Sequence, residues 1–311
     1  MRCVLCGKNN AMTTVKGISR ADFERRVGTE QQCMEYLAQQ KWGLGFVCKA
    51  CGHDRAYKGK KHFHKRCMRC GREESATAHT LFHNVKFGLR KAFGMVYDIM
   101  LSKKGANSIW LAERYEVSQN TAWLFRRKLQ QYLKSSGRHP LTGKVEVDEF
   151  EIVTPKKGKQ GRASTDEKVR VVIAVEIREG TVGNAYAKVI DDFSTRSLKT
   201  IFDRHIAKDA AVRTDGWSGY APLKRIYKRL TQEHSCNGAN FPQIHIQIRN
   251  LKNWLRGVHS YCDKGNFQDY LDEYFYRFNR RGHRISIIDL LFDRLMTTRS
   301  ATFNEIKAFA T

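Results

Sequence analysis

Four cysteines near the N-terminus have the spacing of a metal site. Cys48 and Cys51 are separated by two residues, and after fifteen intervening residues Cys67 and Cys70 repeat the pattern. Each pair places two thiolates on one tight turn, and two such turns brought together by hairpins close a tetrahedral four-sulfur site, which zinc prefers. Two paired spacings rarely coincide among unrelated thiols. The sequence therefore predicts a zinc ribbon that holds structural Zn²⁺.

Other candidate ligands in this region have weaker support. Cys3 and Cys6 form a third Cys-x-x-Cys pair, which together with Cys33 could belong to another metal site. Without a second pair at matching spacing, free thiols are the commoner outcome. His62 and His64 lie between the two matched pairs, but four cysteines already complete a zinc shell. We interpret both histidines as surface residues or residues that face DNA.

Two aspartates follow hydrophobic segments in the second half of the chain. The alternation in KVEVDEFEIV predicts a strand that carries Asp148, and AAVRTDG predicts a short strand that ends at Asp215. Carboxylates on adjacent strands suit two divalent ions about 3.5–4 Å apart, which support in-line phosphodiester chemistry. Singly, Asp148 could be a strand-edge acid and Asp215 a turn residue. Together they predict a catalytic site for Mg²⁺ or Mn²⁺.

The segments around these acids predict an α/β fold. A helix follows Ser194, and another is expected around 223–230. The predicted strands are 144–153, 169–178, 182–190, a short one ending at Asp215, and 243–248. The order β-β-β-α-β-α-β-α matches a ribonuclease-H-like fold, in which the first and fourth strands lie side by side. That pairing would make Asp148 and Asp215 neighbours.

Residues 86–133, between the ribbon and the acids, have helical periodicity that breaks at 115–117. Ser118 can cap the second helix. This is the spacing of a helix-turn-helix, whose second helix enters the major groove of DNA. In its first turn, Gln119, Asn120 and Thr121 would contact base edges. Further along the helix, Arg126 and Arg127 would contact phosphates. A helical hairpin with a solvated basic face is the alternative.

The composition favours a nucleic-acid partner. The 311 residues carry a formal net charge of +25, and such an imbalance costs self-repulsion unless a polyanion offsets it. Double-stranded DNA is therefore the predicted partner. No apolar run approaches the roughly 20 residues of a membrane span, so no membrane association is expected. The N-terminus lacks the apolar stretch of a secretory signal, which predicts a cytoplasmic, nucleoid-associated protein with reduced cysteines.

The clearest linker is SSGRHPLTG at 135–143, after which the periodicity changes from helices to strands. The sequence therefore predicts a multidomain chain. Its predicted units are a zinc ribbon with an N-terminal extension at 1–80, a helix-turn-helix segment at 81–139 and a ribonuclease-H-like domain at 140–311.

Several motifs extend these local patterns: SATAHTLFHNVKFGLRKAF at 75–93, VEVDE at 145–149, TDGWSGY at 214–220, NLKNWLRGVH at 250–259 and YLDEYFYRFNRR at 270–281. With the four cysteines, they make the chain from 46 to 281 resemble the bacterial DDE insertion-sequence transposases of the ISXO-like group. The resemblance implies a protein that binds the inverted ends of its element, cuts a strand and joins the 3′-OH to target DNA with Mg²⁺. Synapsis of two ends implies a homodimer or a higher oligomer.

The resemblance also implies a third metal ligand on the helix after the fifth strand, usually Glu and in this group often Asn. With 243–248 as a strand, that helix begins near Asn250. Asn250 would lie about 40° from Trp254, at the edge of an apolar stripe, where it could face the two aspartates. We predict Asn250 as the third ligand. The alternatives are His245, Glu233 and Glu273.

Basic residues near this ligand are expected to contact phosphate. The resemblance implies one seven positions after the third ligand, but that position is Gly257. Lys252 and Arg256 are therefore the candidates, with Lys252 assigned to the catalytic site and Arg256 to DNA binding.

The motif at 270–281 interleaves aromatic and basic residues. Its aromatic rings could stack on unpaired bases, while Arg277, Arg280 and Arg281 neutralise phosphates. Alternatively, the segment is an amphipathic helix with aromatic residues in the core. Trp217 likewise could pack in the core or contact DNA.

These features together predict a DNA transposase with metal-dependent strand cleavage and strand transfer. A catalytically inactive zinc-ribbon and helix-turn-helix DNA-binding protein derived from a transposase is the alternative, because no Glu fits the third position. A nuclease of the same fold that cuts without joining would use the same residues.

Overall fold

The computed structural model describes residues 18–154, 167–259, 262–282, 287–298 and 305. Cys3 and Cys6 lie outside these ranges, so their predicted roles are not addressed by the structure. Among the described residues, no helix combines the length and apolar character that a membrane span requires.

The N-terminal half of the described chain combines helices with a small antiparallel sheet of order β1-β2-β3. The strands are β1 (Ala56–Lys58), β2 (His64–Cys67) and β3 (Glu73–Ser75). The helices are α1 (Arg20–Val27), α2 (Glu30–Trp42), α3 (Leu89–Leu101), α4 (Ser108–Tyr115) and α5 (Gln119–Leu133). The predicted break between the last two helices is confirmed, and the Ser118 side chain caps α5 by accepting from the Thr121 N–H.

The C-terminal half is built on a mixed sheet of five strands, in the order β6-β5-β4-β7-β8. The first three strands of this half form an antiparallel meander, and the last two run parallel to the first. The strands are β4 (Lys144–Thr154), β5 (Glu167–Arg178), β6 (Thr181–Ile190), β7 (Ala211–Thr214) and β8 (Leu230–Gln232). The helices are α6 (Thr195–His205), α7 (Pro242–Val258), α8 (Phe267–Asn279) and α9 (Ile287–Thr297), with short 3-10 turns at Ser218–Arg225, Cys236–Gly238 and Lys264–Asn266.

The segment 243–248 is helical, so its prediction as a strand was wrong. Isoleucine at every second position fits a strand, but Ile244 and Ile248 also continue the buried stripe of Leu251 and Leu255 at helical spacing. Ile246 is left outside that stripe and is exposed. The fifth strand is instead β8, in the region where a helix around 223–230 was expected.

Each face of the five-stranded sheet has its own apolar core. Side chains of α7 and α8 pack on one face with Phe150 of β4 and with Val171 of β5. Side chains of α6 and of the 3-10 turn at Ser218–Arg225 pack on the other face with Val147. Successive residues of β4 therefore point alternately toward α7 and toward that turn.

Helix α9 does not pack on this sheet. Its Leu291 and Phe292 lie in the helical core of the N-terminal half, where Phe292 contacts the rings of Phe82 and Phe93. The first two helices, α1 and α2, belong to the same core. The domain limits at 80 and 139 stay predictions. The helical core nevertheless contains residues from before 80, from between 80 and 139, and from α9.

Candidate functional site

The two Cys-x-x-Cys pairs lie on turns of the same construction. The Gly52 N–H donates to the Cys48 carbonyl (2.9 Å), and the Gly71 N–H donates to the Cys67 carbonyl (3.0 Å). Gly52 and Gly71 have φ of 73° and 70°, in the left-handed region that suits a residue without a Cβ. Pairing of β1 with β2 brings the two turns together.

The four sulfurs of these turns fit zinc. All four lie within 4.8 Å of one another, and the Cys48–Cys70 and Cys51–Cys67 sulfurs are 3.6 Å apart. A tetrahedral ion with Zn–S bonds of about 2.3 Å needs sulfurs about 3.8 Å apart. Hydrogen bonds from the backbone N–H groups of Cys70 and Arg69 lower the pKa of Cys67, which favours a thiolate there, whereas burial and the neighbouring thiols raise the pKa of Cys51.

Cys33 is not part of this group. Its side chain is completely buried in the helical core, and its thiol donates to the Val27 carbonyl (3.3 Å). Burial raises the pKa of Cys33 to about 12. Within the described part of the chain, Cys33 is therefore a core residue rather than a metal ligand.

The start of α5 is accessible. Glu116 ends α4 in the left-handed region (φ 51°), and Ser118 caps α5 two residues later. Gln119 and Asn120 on the first turn are exposed, and Thr121 is partly buried. The three side chains predicted to contact bases thus lie together at the open end of the helix.

Further along α5, Arg126 and Arg127 are buried, so the prediction that they contact phosphates was wrong. Arg126 pairs with Glu273 (2.5 Å) and Arg127 pairs with Asp269 (2.7 Å), both acids being on α8. The completely buried Glu273 is thereby also removed from the candidate metal ligands. Helical periodicity indicates which residues share a face, but it does not show that a second helix with matching acids covers that face.

The arginines at the end of α8 and just after it contact their own chain. Arg277 is directed inward and donates to the Ser102 carbonyl, against the prediction that it contacts phosphate. Arg280 and Arg281 lie over aromatic rings of the same segment, at 3.6 and 3.7 Å from the ring centres. Tyr276 is buried. The amphipathic-helix alternative thus describes the segment, and DNA contact by Arg280 and Arg281 stays a prediction.

Asp148 and Asp215 lie side by side, as the sequence predicted. Parallel pairing of β4 with β7 sets Val147 opposite Thr214, and the two aspartates follow these residues directly. Burial raises the pKa of Asp148; His245 opposes this shift, and the nearby charge of Asp215 adds to it. The site therefore gathers negative charge, which a cation would offset.

His245, rather than Asn250, is the residue of α7 that faces these acids. Its Nε2 lies 3.7 Å from Asp148 Oδ2. Asn250 is exposed on the same helix, and at 100° per residue it lies about 140° around the axis from His245. The prediction of Asn250 as the third ligand assumed a helix that begins at 250, whereas α7 begins at Pro242, so the position of Asn250 on the helix differs from the expected one. The ligand atoms of Asp148, Asp215 and His245 are farther apart than the sulfurs of the four cysteines. Among the described residues, those cysteines form the group whose ligand atoms all lie within 4.8 Å of one another.

Lys252 shares the helix face of His245. It follows His245 by seven residues, which places it about 20° away around the helix. Its Nζ lies 5.0 Å from the centre of the Phe150 ring, on the same face of β4 as Asp148. Burial and the nearby Arg256 lower the pKa of Lys252, and Asp148 opposes that shift. Arg256, one turn further on, is exposed.

A second row of charges beneath the aspartates was missed from the sequence. Glu146 and Arg213 precede the two aspartates by two residues on the same strands and form an ion pair (3.3 Å). Arg213 also pairs with Glu233 (2.7 Å), one of the alternative candidates for the third ligand. Burial raises the pKa of Glu146, and Arg213 opposes it. The alternation in VEVDE was the available signal, since it puts Glu146 on the face of Asp148.

Glu149 points to the opposite face of the sheet and was also missed. The completely buried hydroxyl of Tyr220 donates to its carboxylate. Burial raises the pKa of Glu149 to about 7, and Asp215 and Asp148 add to the shift, whereas Tyr220 opposes it. No spacing rule links Glu149 to Tyr220, because the pairing depends on how the 3-10 turn packs on the sheet.

Trp217 stands at the edge of the acid site. Its side chain is 46% exposed, and its indole Nε1–H donates to the Phe193 carbonyl (3.0 Å). Its backbone N–H donates to Asp215 Oδ1 (3.0 Å). The sequence left two interpretations open for Trp217, packing in the core and contact with DNA. Its exposure does not fit packing in the core.

Two family models match the chain. The ISXO2-like transposase domain matches residues 140–279, which include both aspartates, His245 and Lys252. The transposase zinc-ribbon domain matches residues 28–73, which include all four zinc-site cysteines. No curated protein matches the chain. Over residues 28–73 and 140–279 the chain therefore matches the ISXO2-like group of transposases with an N-terminal zinc ribbon.

Proposed function

We propose that this protein is a DNA transposase that binds the ends of its own element, cuts them with divalent metal and joins them to target DNA. The observation that carries the proposal is the position of Asp148 and Asp215 directly after paired residues of two parallel strands, with His245 Nε2 3.7 Å from Asp148. Adjacent carboxylates with a third side chain suit divalent metal.

The sheet supports a ribonuclease-H-like domain. Its order β6-β5-β4-β7-β8 puts the first and fourth strands of the domain side by side, as that fold requires. Helices cover both faces, so the two acid-bearing strands are central and rigid. A catalytic group gains accuracy when it is built on such elements.

Asp148, Asp215 and His245 would hold Mg²⁺ or Mn²⁺. When bound, two such ions activate the attacking oxygen and stabilise the leaving oxygen of a phosphodiester. Because imidazole is a softer ligand than carboxylate, we expect Mn²⁺ to support more activity than Mg²⁺. Lys252, on the His245 face of α7, would bind a phosphate beside the acids.

The N-terminal half would supply DNA recognition. α4 and α5 would act as a helix-turn-helix, with Gln119, Asn120 and Thr121 contacting base edges in the major groove. Zinc would fold the ribbon. The net charge of +25 favours double-stranded DNA as the partner, and the joining of two ends would require at least a homodimer.

A cleavage and strand-transfer assay tests the proposal, with a duplex that carries the terminal inverted repeat found beside the gene. The parent should form cleaved and joined products with Mn²⁺, and Asp148→Ala, Asp215→Ala and His245→Ala should each lose them. Asn250→Ala is the matched control on α7 and should retain parental activity.

The outcomes separate the candidate functions. Cleavage without joining would identify a nuclease. Specific binding of the duplex without product in either metal would identify an inactive DNA-binding protein. Full activity of His245→Ala would contradict the assignment of the third ligand.

A further inference from the structure

The connection from β8 to α7 contains a run of backbone in an unusual conformation. Cys236, Asn237 and Gly238 all have positive φ, of 48°, 54° and 88°. Two of these residues carry a Cβ, and non-glycine residues seldom occupy the left-handed region. Strained backbone of this kind persists only where the surrounding structure holds it, and it is frequent near functional groups.

Hydrogen bonds hold this turn in place. The Gly238 N–H lies 2.9 Å from the Ser235 carbonyl and 3.1 Å from the Ser235 hydroxyl, and the Asn240 amide donates to the His234 carbonyl (2.8 Å). Arg213 of β7 donates to the Asn240 carbonyl (3.3 Å). The turn is therefore tied to the strand that ends at the acid site.

The turn packs against the imidazole of His245. A Cβ placed on Gly238 would lie 3.2 Å from both Cδ2 and Nε2 of His245, and 3.3 Å from Cε1. These distances are shorter than ordinary carbon contacts of about 3.5–4.0 Å, so a side chain at position 238 would displace the ring by a few tenths of an ångström. The same Nε2 faces Asp148 Oδ2 at 3.7 Å.

We infer that Gly238 is a positioning residue, which sets the orientation of His245 toward Asp148 by packing against the edge of its ring. This inference rests on the proposed function, since it assigns His245 as a metal ligand. Imidazole ligands are commonly fixed by a second contact that sets the ring orientation. Here the second contact is made by the backbone of Gly238, which the strained turn holds against the imidazole ring of His245.

Two substitutions separate the missing Cβ from the backbone conformation. Gly238→Ala adds a Cβ and strains the positive φ, whereas Gly238→Asn adds a Cβ in a residue that tolerates positive φ better. Asn237→Gly relieves strain without adding an atom near the ring. Gly216→Ala is the matched control, because it lies next to Asp215 and a Cβ there meets nothing within 4 Å.

The measurement is Mn²⁺ binding to the full zinc-loaded chain, followed by the electron paramagnetic resonance signal of free Mn²⁺, with cleavage against Mn²⁺ concentration as a second readout. Gly238→Ala and Gly238→Asn should weaken Mn²⁺ binding about 10- to 100-fold. Asn237→Gly and Gly216→Ala should bind Mn²⁺ like the parent. Circular dichroism verifies that each variant is folded. If Gly238→Ala does not fold, Gly238→Asn provides the test.

A double-mutant cycle then tests whether Gly238 acts through His245. In a His245→Ala background, Gly238→Asn should have no further effect on Mn²⁺ binding. Parental Mn²⁺ affinity of Gly238→Asn would overturn the inference, as would an equal loss with and without His245. Failure of the proposed function has a different signature, namely a parent that binds Mn²⁺ but yields no cleaved DNA.

Discussion

Arg126 of α5 and Glu273 of α8 form an ion pair in which both side chains are almost completely buried, with 3% and 0% exposed. The pair joins the helix that begins at the proposed DNA-contacting residues to a helix packed on the five-stranded sheet. Gln130 also donates to Glu273 (2.8 Å). The two halves of the chain are therefore fixed to each other by a polar contact away from water.

Arg126→Met should lower the free energy of unfolding by about 3–5 kcal/mol, because it leaves the Glu273 carboxylate buried without its cation. The double variant Arg126→Met/Glu273→Leu should recover part of this loss. Urea denaturation measures both. Lys91→Ala, which removes an exposed pair with Glu116, is the control and should cost no more than about 1 kcal/mol. A cost for Arg126→Met as small as that control would contradict the prediction.

His259 should make stability depend on pH below about 6.5. Burial, with the charge of Arg126, lowers the pKa of His259 to about 2, against about 6.5 in an unfolded chain. The unfolded state therefore binds a proton that the folded state rejects. The stabilisation is complete above pH 6.5 and falls by about 1.4 kcal/mol for each pH unit below it.

Urea denaturation at pH 7 and pH 5 measures this dependence. His259→Gln should be less sensitive to the change than the parent. His62→Gln, whose ring is exposed, should behave like the parent. His205 has a pKa lowered by burial to about 4 and should contribute to the remaining slope with the same sign. Equal slopes for the parent and His259→Gln would refute the prediction.

Removal of zinc should unfold the ribbon. We expect about one zinc ion per chain, with the four thiolates as its ligands. Cys70→Ser should lose the metal, because it removes one ligand of four, whereas Cys33→Ala should retain it because that thiol lies in the helical core. Colorimetric zinc release by a thiol reagent gives the content. Zinc loss in Cys33→Ala with an intact fold would contradict this assignment.

Lys252→Ala should slow DNA cleavage roughly 10- to 100-fold, the effect of losing one hydrogen bond to a charged group. Lys252→Arg should retain more activity because it keeps the positive charge. Asn253→Ala is the control, since Asn253 is the exposed neighbour on α7. Single-turnover cleavage on the end duplex measures the rates, and an unchanged rate in Lys252→Ala would exclude this lysine from the site.

The sequence was most informative where a local pattern fixes the structure. The two Cys-x-x-Cys-Gly turns follow from their spacing, and the strands that carry Asp148 and Asp215 follow from alternation and are paired as expected. The helix starts after Ser118 and Ser194 follow from side-chain capping, which involves neighbouring residues only.

The sequence was least informative where packing between distant elements decides the conformation or the burial of a residue. Isoleucine at every second position around His245 fits a strand and a helix equally, and the sheet selects the helix by burying Ile244 and Ile248. Because of that one error, the sequence placed Asn250 toward Asp148, whereas the structure places His245 there. Arg126 was misjudged for the same reason, because its partner Glu273 is 147 residues away in the chain.

The position of α9 has a consequence for synthesis of the protein. Phe292 lies against Phe82 and Phe93 in the helical core, so that core is complete only when α9 has left the ribosome. Domains made early in a chain usually fold first, while the remainder is still being translated. Here the helical core keeps an apolar face open until residues 287–297 have been made, and a nascent chain that stops before Ile287 would expose it.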